Sequence, residues 1–172
     1  MHYYGITKKI VERPLLAKET CLTEINPVLK RIYLARGIKS DAELQYGLAQ
    51  LPSPWLLTGM EEMVIYLIAA LDKQKKIVIV ADFDADGATS CAVAMLGLQL
   101  LGFKYVDFIV PNRFEYGYGL TPEITELVIA KHADVLITVD NGISSLEGVE
   151  VAKKSGMQVL VTDHHLPGEK LP

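Results

Sequence analysis

Two patterns of hydrophobic and polar positions divide this chain near residue 75. From residue 76 onward, short β-branched runs alternate with segments of helical periodicity. Strands are predicted at 77–81, about 105–110, 135–139 and 158–161. All four runs are predominantly apolar, as parallel strands covered on both faces should be. The pattern therefore predicts an α/β fold in which helices flank a parallel sheet.

Three helices are predicted among these strands. One covers about 89–101 and another about 145–154. The helix between them begins with Thr121 as its cap and Pro122 in its first turn, where proline sacrifices no helical hydrogen bond. This alternation of strands and helices is that of a doubly wound α/β domain.

The segment before residue 75 has a helical pattern instead. Ser40 with Glu43, and Thr58 with Glu61, have the spacing of capping boxes at helix starts. After Thr58, apolar residues recur at intervals of three and four, which predicts one buried helix face: Met60, Met63, Val64, Leu67, Ile68 and Leu71.

The expected domain organisation follows from this change of pattern. Residues 1–75 are predicted to form a small helical lead-in that packs on the α/β domain, with residues 52–54 (Pro-Ser-Pro) separating its helices. Residues 76–172 are predicted to form the α/β domain.

The amino-acid composition predicts a soluble, globular protein. Half of the 172 residues are hydrophobic, no segment approaches the roughly 20 apolar residues of a membrane span, and no signal peptide is apparent. A cytoplasmic location without membrane association is therefore predicted. Cys21 and Cys91 stand in unrelated contexts, so they are interpreted as buried thiols rather than a disulfide or zinc site.

Charge is distributed unevenly along the chain. Residues 1–39 contain eight Lys or Arg and three Glu residues, which gives this segment a net charge of +5. Because the whole chain has a net charge of −4, residues 40–172 carry −9. A basic segment of this kind could approach a polyanion, or it could be an ordinary solvated surface. The acidic remainder does not exclude a phosphate substrate, because bound divalent cations would reverse the local charge.

Polar side chains follow each predicted strand at the point where the strand ends. These runs are residues 82–87 (Asp-Phe-Asp-Ala-Asp-Gly), 111–113 (Pro-Asn-Arg), 140–142 (Asp-Asn-Gly) and 163–165 (Asp-His-His). Because ligands bind beyond the carboxyl ends of parallel strands, carboxylates and imidazoles from three strands should meet at one edge. A mixed Asp and His set favours Mn²⁺ over Mg²⁺, and two such ions about 4 Å apart are a common device for phosphodiester cleavage.

Each run also has an alternative interpretation. The triple-Asp loop begins like an EF-hand calcium loop, but the twelfth position is Val93 instead of a bidentate Glu. Residues 84–87 also resemble the nucleophile loop of haloacid-dehalogenase-type phosphatases, which has no tandem His. Asp140 by itself could simply form a turn with the residues after it. His2 and His132 have no comparable partners and are interpreted as incidental.

Three motifs together resemble those of the DHH phosphoesterase superfamily, in particular its RecJ-type branch. Residues 82–90 resemble the first motif, 139–143 the second, and 163–165 the motif that names the superfamily. Residues 111–113 with 116–120, and the lead-in around 34–38, are similar to RecJ-type sequences as well.

The resemblance implies a 5′-to-3′ exonuclease acting on single-stranded DNA in repair and recombination, with two Mn²⁺ or Mg²⁺ ions. The implied metal ligands are Asp82, Asp84, Asp86, Asp140 as the bridging ligand, and His164. His165 is expected to face the scissile phosphate, and Asp163 to orient an imidazole by accepting its other N–H. Gly87 is expected to allow a tight turn into the helix that follows.

Substrate contacts are expected from the residues beside these motifs. Arg113 is expected to pair with phosphate, Ser90 to cap the helix or approach phosphate, and one of Phe114, Tyr116 or Tyr118 to stack on bases. The implied partners are single-stranded DNA and other repair proteins, such as a single-strand-binding protein or a helicase.

The resemblance also implies parts that follow Pro172: a further metal-binding Asp and a second domain. The chain is therefore expected to be a fragment that binds metal weakly and cuts DNA poorly or not at all. Two other functions stay open: a DHH phosphoesterase for short oligonucleotides or nucleotide phosphates, and a non-catalytic module that binds nucleic acid or a repair partner.

Overall fold

The computed structural model describes residues 11, 12, 14, 22 and 24–172. The chain separates into two compact units, residues 1–56 and 57–172, which are described in turn. In the described part of the chain, no helix combines the length and the apolar character needed to cross a membrane. The predictions for His2 and Cys21 lie outside the described residues, while Cys91 is a buried free thiol, as predicted.

Among its described residues, the first unit contains helix α1 (Pro27–Ala35) and three short 3₁₀ helices, at Asp41–Leu44, Leu48–Gln50 and Pro54–Leu56. The side chain of Asn26 caps α1 by accepting a hydrogen bond from Val28 N at 2.9 Å. The capping box predicted at Ser40 starts only the four-residue 3₁₀ helix, although the Ser40 hydroxyl does contact the Glu43 carboxylate at 3.2 Å.

The second unit begins with helix α2 (Met60–Asp72), and its start differs from the prediction. Gly59, with φ of 75°, is the N-cap, and no side chain caps the helix. The capping box predicted at Thr58 was therefore wrong, because the left-handed conformation of Gly59 starts the helix one residue later.

A four-stranded parallel sheet follows in the order β2-β1-β3-β4. Its strands are β1 (Ile77–Ala81), β2 (Val106–Ile109), β3 (Val135–Val139) and β4 (Gln158–Thr162). The two central strands, β1 and β3, are buried along their whole length, whereas both edge strands are partly exposed. Coverage on both faces, predicted for all four strands, thus holds for the central pair.

Helices cover both faces of this sheet, which confirms the predicted fold class. These helices are α3 (Ala85–Leu100), α4 (Arg113–Tyr116), α5 (Pro122–Ala130) and α6 (Leu146–Lys154). One buried apolar cluster joins α2 and α3 to the sheet, and a second joins α5 and α6 to the opposite face. The cap predicted for α5 is formed, because Thr121 Oγ1 accepts a hydrogen bond from Ile124 N.

Helix α2 belongs to the core of the sheet-containing unit. Met63, Tyr66, Leu67 and Leu71 pack against the first apolar cluster, whereas Ile68, predicted for the buried face, is exposed. Helix α2 therefore lies in the unit of residues 57–172, because it shares its apolar contacts with α3 and the sheet. The domain boundary between residues 75 and 76 stays a prediction.

Candidate metal centre

The candidate site residues are brought together by the register of the parallel strands. Ala81 of β1 lies opposite Val139 of β3, and Val139 lies opposite Thr162 of β4. Asp82, Asp140 and the segment 163–165 come directly after these residues. The loops that follow β1, β3 and β4 therefore start side by side at one edge of the sheet.

Two groups of possible metal ligands form at this edge. Asp82, Asp84 and Asp140 bring their carboxylate oxygens within 4.8 Å of one another, and Asp140, His164 and His165 do the same with one oxygen and two ring nitrogens. Asp140 belongs to both groups. Among the described residues, neither group includes Asp86, whose assignment as a ligand stays a prediction.

Asp84 is held by the start of helix α3, of which it is the N-cap. Its Oδ1 accepts hydrogen bonds from Asp86 N at 3.1 Å and Gly87 N at 3.0 Å. The hydrogen bond from Gly87 lowers the pKa of the Asp84 carboxyl group, as expected for an anion at a helix start. Helix α3 thus begins four residues before the predicted Thr89, because the predicted ligand Asp84 is also its cap.

Gly87 is required by close contact between α3 and the end of β1. A Cβ atom at this position would lie 2.2 Å from the carbonyl oxygen of Asp82. Only glycine therefore allows the helix to start so close to this backbone, which agrees with the tight helix entry expected from the motif.

Asp140 is the most constrained carboxylate of the centre. It is 7% exposed, has φ of 61°, and its Oδ1 lies 2.9 Å from His164 Nε2. Burial raises its pKa, with the Asp84 charge acting in the same direction, against the opposing effect of His164. A bound cation that neutralises the negative charge of these neighbouring carboxylates would fit the site.

Asn141 anchors the turn after β3, and sequence reasoning gave it no such role. Its Nδ2 donates hydrogen bonds to the carbonyl groups of Val80 at 3.0 Å and Val139 at 2.9 Å, and the residue is 2% exposed. The next residue, Gly142, has φ of 107°, and a Cβ there would lie 2.5 Å from Thr138 Oγ1. The Asn-Gly pair directly after a buried strand was the available signal.

Asp163 holds His165 in place. Its Oδ1 accepts a hydrogen bond from His165 N at 3.1 Å and lies 2.6 Å from His165 Nδ1, while its Oδ2 accepts one from Ile143 N. Burial alone would raise the pKa of Asp163, but these hydrogen bonds outweigh burial and the pKa is lowered. The same pairing raises the pKa of His165.

Arg113, the first residue of α4, reaches back to Asp82. Its Nη2 lies 3.0 and 3.1 Å from the two carboxylate oxygens of Asp82. The guanidinium group stacks 3.9 Å from the centroid of the Phe83 ring and 5.2 Å from that of Tyr118. Sequence reasoning expected Arg113 to contact phosphate and missed this internal ion pair, because no local pattern relates residues 31 positions apart.

The aromatic residues near Arg113 differ in their surroundings. The Tyr118 hydroxyl lies 3.2 Å from His165 Nδ1, and burial together with nearby carboxylates raises its pKa. Tyr116 packs against the second apolar cluster, whereas Phe114 is 97% exposed. Of the three predicted stacking residues, Phe114 therefore has the most accessible ring.

The hydroxyl group of Ser90 lies inside helix α3. It donates to the carbonyl groups of Asp86 and Gly87, and Thr89 bonds to the same turn of the helix. Neither hydroxyl caps the helix, because Asp84 does so. The phosphate contact expected of Ser90 stays a prediction.

The comparisons with known proteins agree with this geometry. The sequence profile of the DHH family, N-terminal domain, matches residues 76–172, which is more than half of the chain. The chain belongs to the DHH family. This DHH chain is 48% identical over 165 residues to the single-stranded-DNA-specific exonuclease RecJ of Haemophilus influenzae, a match that covers 96% of the chain and 28% of that relative. It is 36% identical to the Bacillus subtilis protein of the same name, over 94% of the chain and 21% of the relative.

Solved structures give the same relationship. A crystal structure of exonuclease RecJ bound to manganese matches with a TM-score of 0.64 and 37% identity, over 73% of the DHH chain and 31% of that chain. The RecJ structure from Thermus thermophilus in complex with Mn²⁺ matches with a TM-score of 0.60 and 32% identity. This match covers 87% of the DHH chain and 20% of the Thermus thermophilus chain. The predicted resemblance to RecJ-type proteins is thereby confirmed. The DHH chain spans about a quarter of the length of the curated relatives it matches.

Proposed function

We propose that this DHH chain contributes the metal-binding part of a phosphodiesterase that degrades single-stranded DNA from the 5′ end. The observation that carries the proposal is the position of Asp140. It is shared by a group of three carboxylates and a group of one carboxylate and two imidazoles. A carboxylate shared in this way suits a bridge between two divalent ions.

The donor atoms fit Mn²⁺ or Mg²⁺. Asp82, Asp84 and Asp140 supply the oxygen ligands that hard divalent ions prefer, and His164 supplies an imidazole, which favours Mn²⁺. Two of the similar structures contain manganese. When bound, such ions lower the pKa of a water molecule and neutralise charge on phosphoryl oxygens.

The remaining residues orient the centre. Asp163 fixes the ring of His165 through a contact of 2.6 Å, and this pairing raises the pKa of His165. Arg113 and Tyr118 lie beside this imidazole and the carboxylate of Asp82, where they would meet the substrate. From its motif, Asp86 is proposed as a further metal ligand, and Ser90 is proposed to contact a phosphate group of the substrate.

The substrate is proposed from the relatives. The curated proteins that the chain matches are named as single-stranded-DNA-specific exonucleases. A role in DNA repair and recombination, a cytoplasmic location, and partners such as a single-strand-binding protein or a helicase form part of the proposal. The DHH domain alone is expected to cleave poorly, and sequences such as those beyond the matched quarter of the relatives would complete the cleft.

The test is degradation of an end-labelled, 5′-phosphorylated single strand in Mn²⁺, with a duplex of the same sequence beside it. Two proteins are compared: the 172-residue chain, and a chimera in which it replaces the matched segment of the Haemophilus influenzae relative. The chimera should degrade the single strand and leave the duplex intact, and Asp140→Asn should abolish this activity. Asp107→Asn is the matched control, because it makes the same change near the opposite end of the strands. This variant should retain the activity of the chimera.

Each alternative function has its own signature in this assay. Hydrolysis of dinucleotides but not of long strands would assign the chain to a phosphoesterase for short oligonucleotides. Metal-independent binding without any turnover by the chimera would instead identify a non-catalytic module. Equal activity of the Asp140→Asn chimera would refute the assigned centre.

A further inference from the structure

Asp82 is already engaged by a cation that belongs to the protein. Arg113 Nη2 lies within 3.1 Å of both Asp82 oxygens, and the Asp82 side chain is only 10% exposed. A third hydrogen bond, from Phe83 N at 2.8 Å, reaches Oδ1 of the same carboxylate. Little of this carboxylate is therefore accessible to a further partner while Arg113 stays in place.

The guanidinium group is held where it lies. It stacks on the ring of Phe83 at 3.9 Å and approaches the ring of Tyr118 at 5.2 Å. A guanidinium over aromatic faces is stabilised by the ring quadrupoles as well as by its carboxylate partner. Arg113 thus has a defined position beside Asp82 rather than that of a freely moving surface side chain.

This position conflicts with the binding of a divalent ion to the same carboxylate. One oxygen of Asp82 lies within 4.8 Å of an oxygen of Asp84 and an oxygen of Asp140, so an ion in this group would lie close to the guanidinium group. Like charges at such distances repel strongly in a partly buried site, and the ion pair of Arg113 with Asp82 must also be loosened.

We propose that Arg113 acts as an internal counter-cation that competes with a divalent ion for Asp82 and thereby sets the metal affinity of the centre. This inference rests on the proposed metal-dependent function. It assigns to Arg113 a role in metal loading that precedes any contact with phosphate. Metal binding would release the guanidinium group from Asp82 and make it available to an incoming anion.

The test is a direct Mn²⁺ titration of the 172-residue chain, in which the electron paramagnetic resonance signal reports free Mn²⁺. Arg113→Gln is expected to bind Mn²⁺ about tenfold more tightly than the wild-type chain, because the competing charge is removed. Lys131→Gln is the matched control: it removes one positive charge too, but Lys131 pairs with Asp107 at the opposite end of the strands. At physiological salt its effect should be small, since about 13 Å of strand separates the two ends.

Two further variants make the test specific to Asp82. Arg113→Lys keeps the charge but loses the planar guanidinium group that stacks on Phe83, so its affinity should lie between those of the wild-type chain and Arg113→Gln. In an Asp82→Asn background the Arg113→Gln change should alter Mn²⁺ affinity by less than about threefold, because the contested carboxylate is gone. Circular dichroism of each variant establishes that it is folded, and Arg113→Lys carries the comparison if the Gln variant is not.

The outcomes separate this inference from the proposed function. Unchanged or weaker Mn²⁺ binding by Arg113→Gln, with clear binding by the wild-type chain, would overturn the competition and leave the metal centre intact. An equal gain in the Asp82→Asn background would also overturn it, because the effect would then be one of general charge. Absence of Mn²⁺ binding by every variant would overturn the inference together with the metal-dependent function of this chain.

Discussion

Substitution of Gly87 by alanine tests how helix α3 supports the metal centre. An added Cβ would lie 2.2 Å from the Asp82 carbonyl oxygen, 2.5 Å from its carbon and 2.8 Å from Cα. Ordinary van der Waals contact begins near 3.4 Å. The Asp82 backbone therefore has to withdraw by about 1 Å, and a backbone contact cannot be relieved by a change of rotamer.

The expected cost follows from two opposing effects. Overpacking of this kind costs about 1–3 kcal/mol, while alanine in a helix is more stable than glycine by about 0.5–1 kcal/mol. The net result is a loss of about 0–2.5 kcal/mol in the free energy of unfolding, which lowers Tm by up to about 10 °C in a chain of this length. A shift of about 1 Å in the backbone of Asp82 would displace its carboxylate, a proposed metal ligand. This should also reduce single-strand cleavage by the chimera about a hundredfold.

Urea denaturation followed by circular dichroism measures the first effect, and Mn²⁺ titration and strand degradation measure the second. Gly97→Ala is the matched control, because Gly97 lies in the same helix and an added Cβ there meets no atom within 4 Å. It should raise the free energy of unfolding by about 0.5–1 kcal/mol and leave Mn²⁺ binding unchanged. If Gly87→Ala proved as stable as Gly97→Ala and bound Mn²⁺ like the wild-type chain, the close contact would have no structural role.

Three more predictions concern the sheet and the helices around it. Gly148→Ala should lower Tm, because the added Cβ would lie 2.0 Å from the Leu120 carbonyl oxygen; a thermal melt at or above the wild-type Tm would contradict the contact. Asn141→Ala should lower the free energy of unfolding by about 1–3 kcal/mol in urea titrations, because two buried strand carbonyls lose their donor; a change near zero would mean that water replaces it. The hydrogen bond from Lys131 lowers the pKa of Asp107, so this pair stabilises the fold above the unfolded carboxyl pKa of about 3.9 and loses its effect as pH falls through the lowered folded value. The difference in urea midpoint between wild-type chain and Lys131→Gln should accordingly shrink as the pH is lowered from about 6 to about 2, and a constant difference would refute the pairing.

Local pattern predicted the elements that depend on neighbouring residues. The bounds of β1 and β3 agree with the prediction, because their apolar runs are buried on both faces and end at an Asp. Helix α5 starts at the predicted cap and proline. Predictions failed where the backbone conformation of one residue decided the outcome, as at Gly59, whose positive φ replaced the capping box expected at Thr58.

For the site, the sequence by itself determined which side chains follow each strand and that parallel strands bring them to one edge. On that ground carboxylates and imidazoles were expected to meet there, and the family resemblance then implied individual ligands such as Asp82, Asp140 and His164. The tertiary structure decided how they are grouped: among the described residues, Asp140 lies in both groups of possible ligands, while Asp86 lies in neither. It also paired Arg113 with Asp82, across 31 positions of the sequence. Such pairings depend on loop conformation and on distances between separate strands, which no periodicity or spacing along the chain encodes.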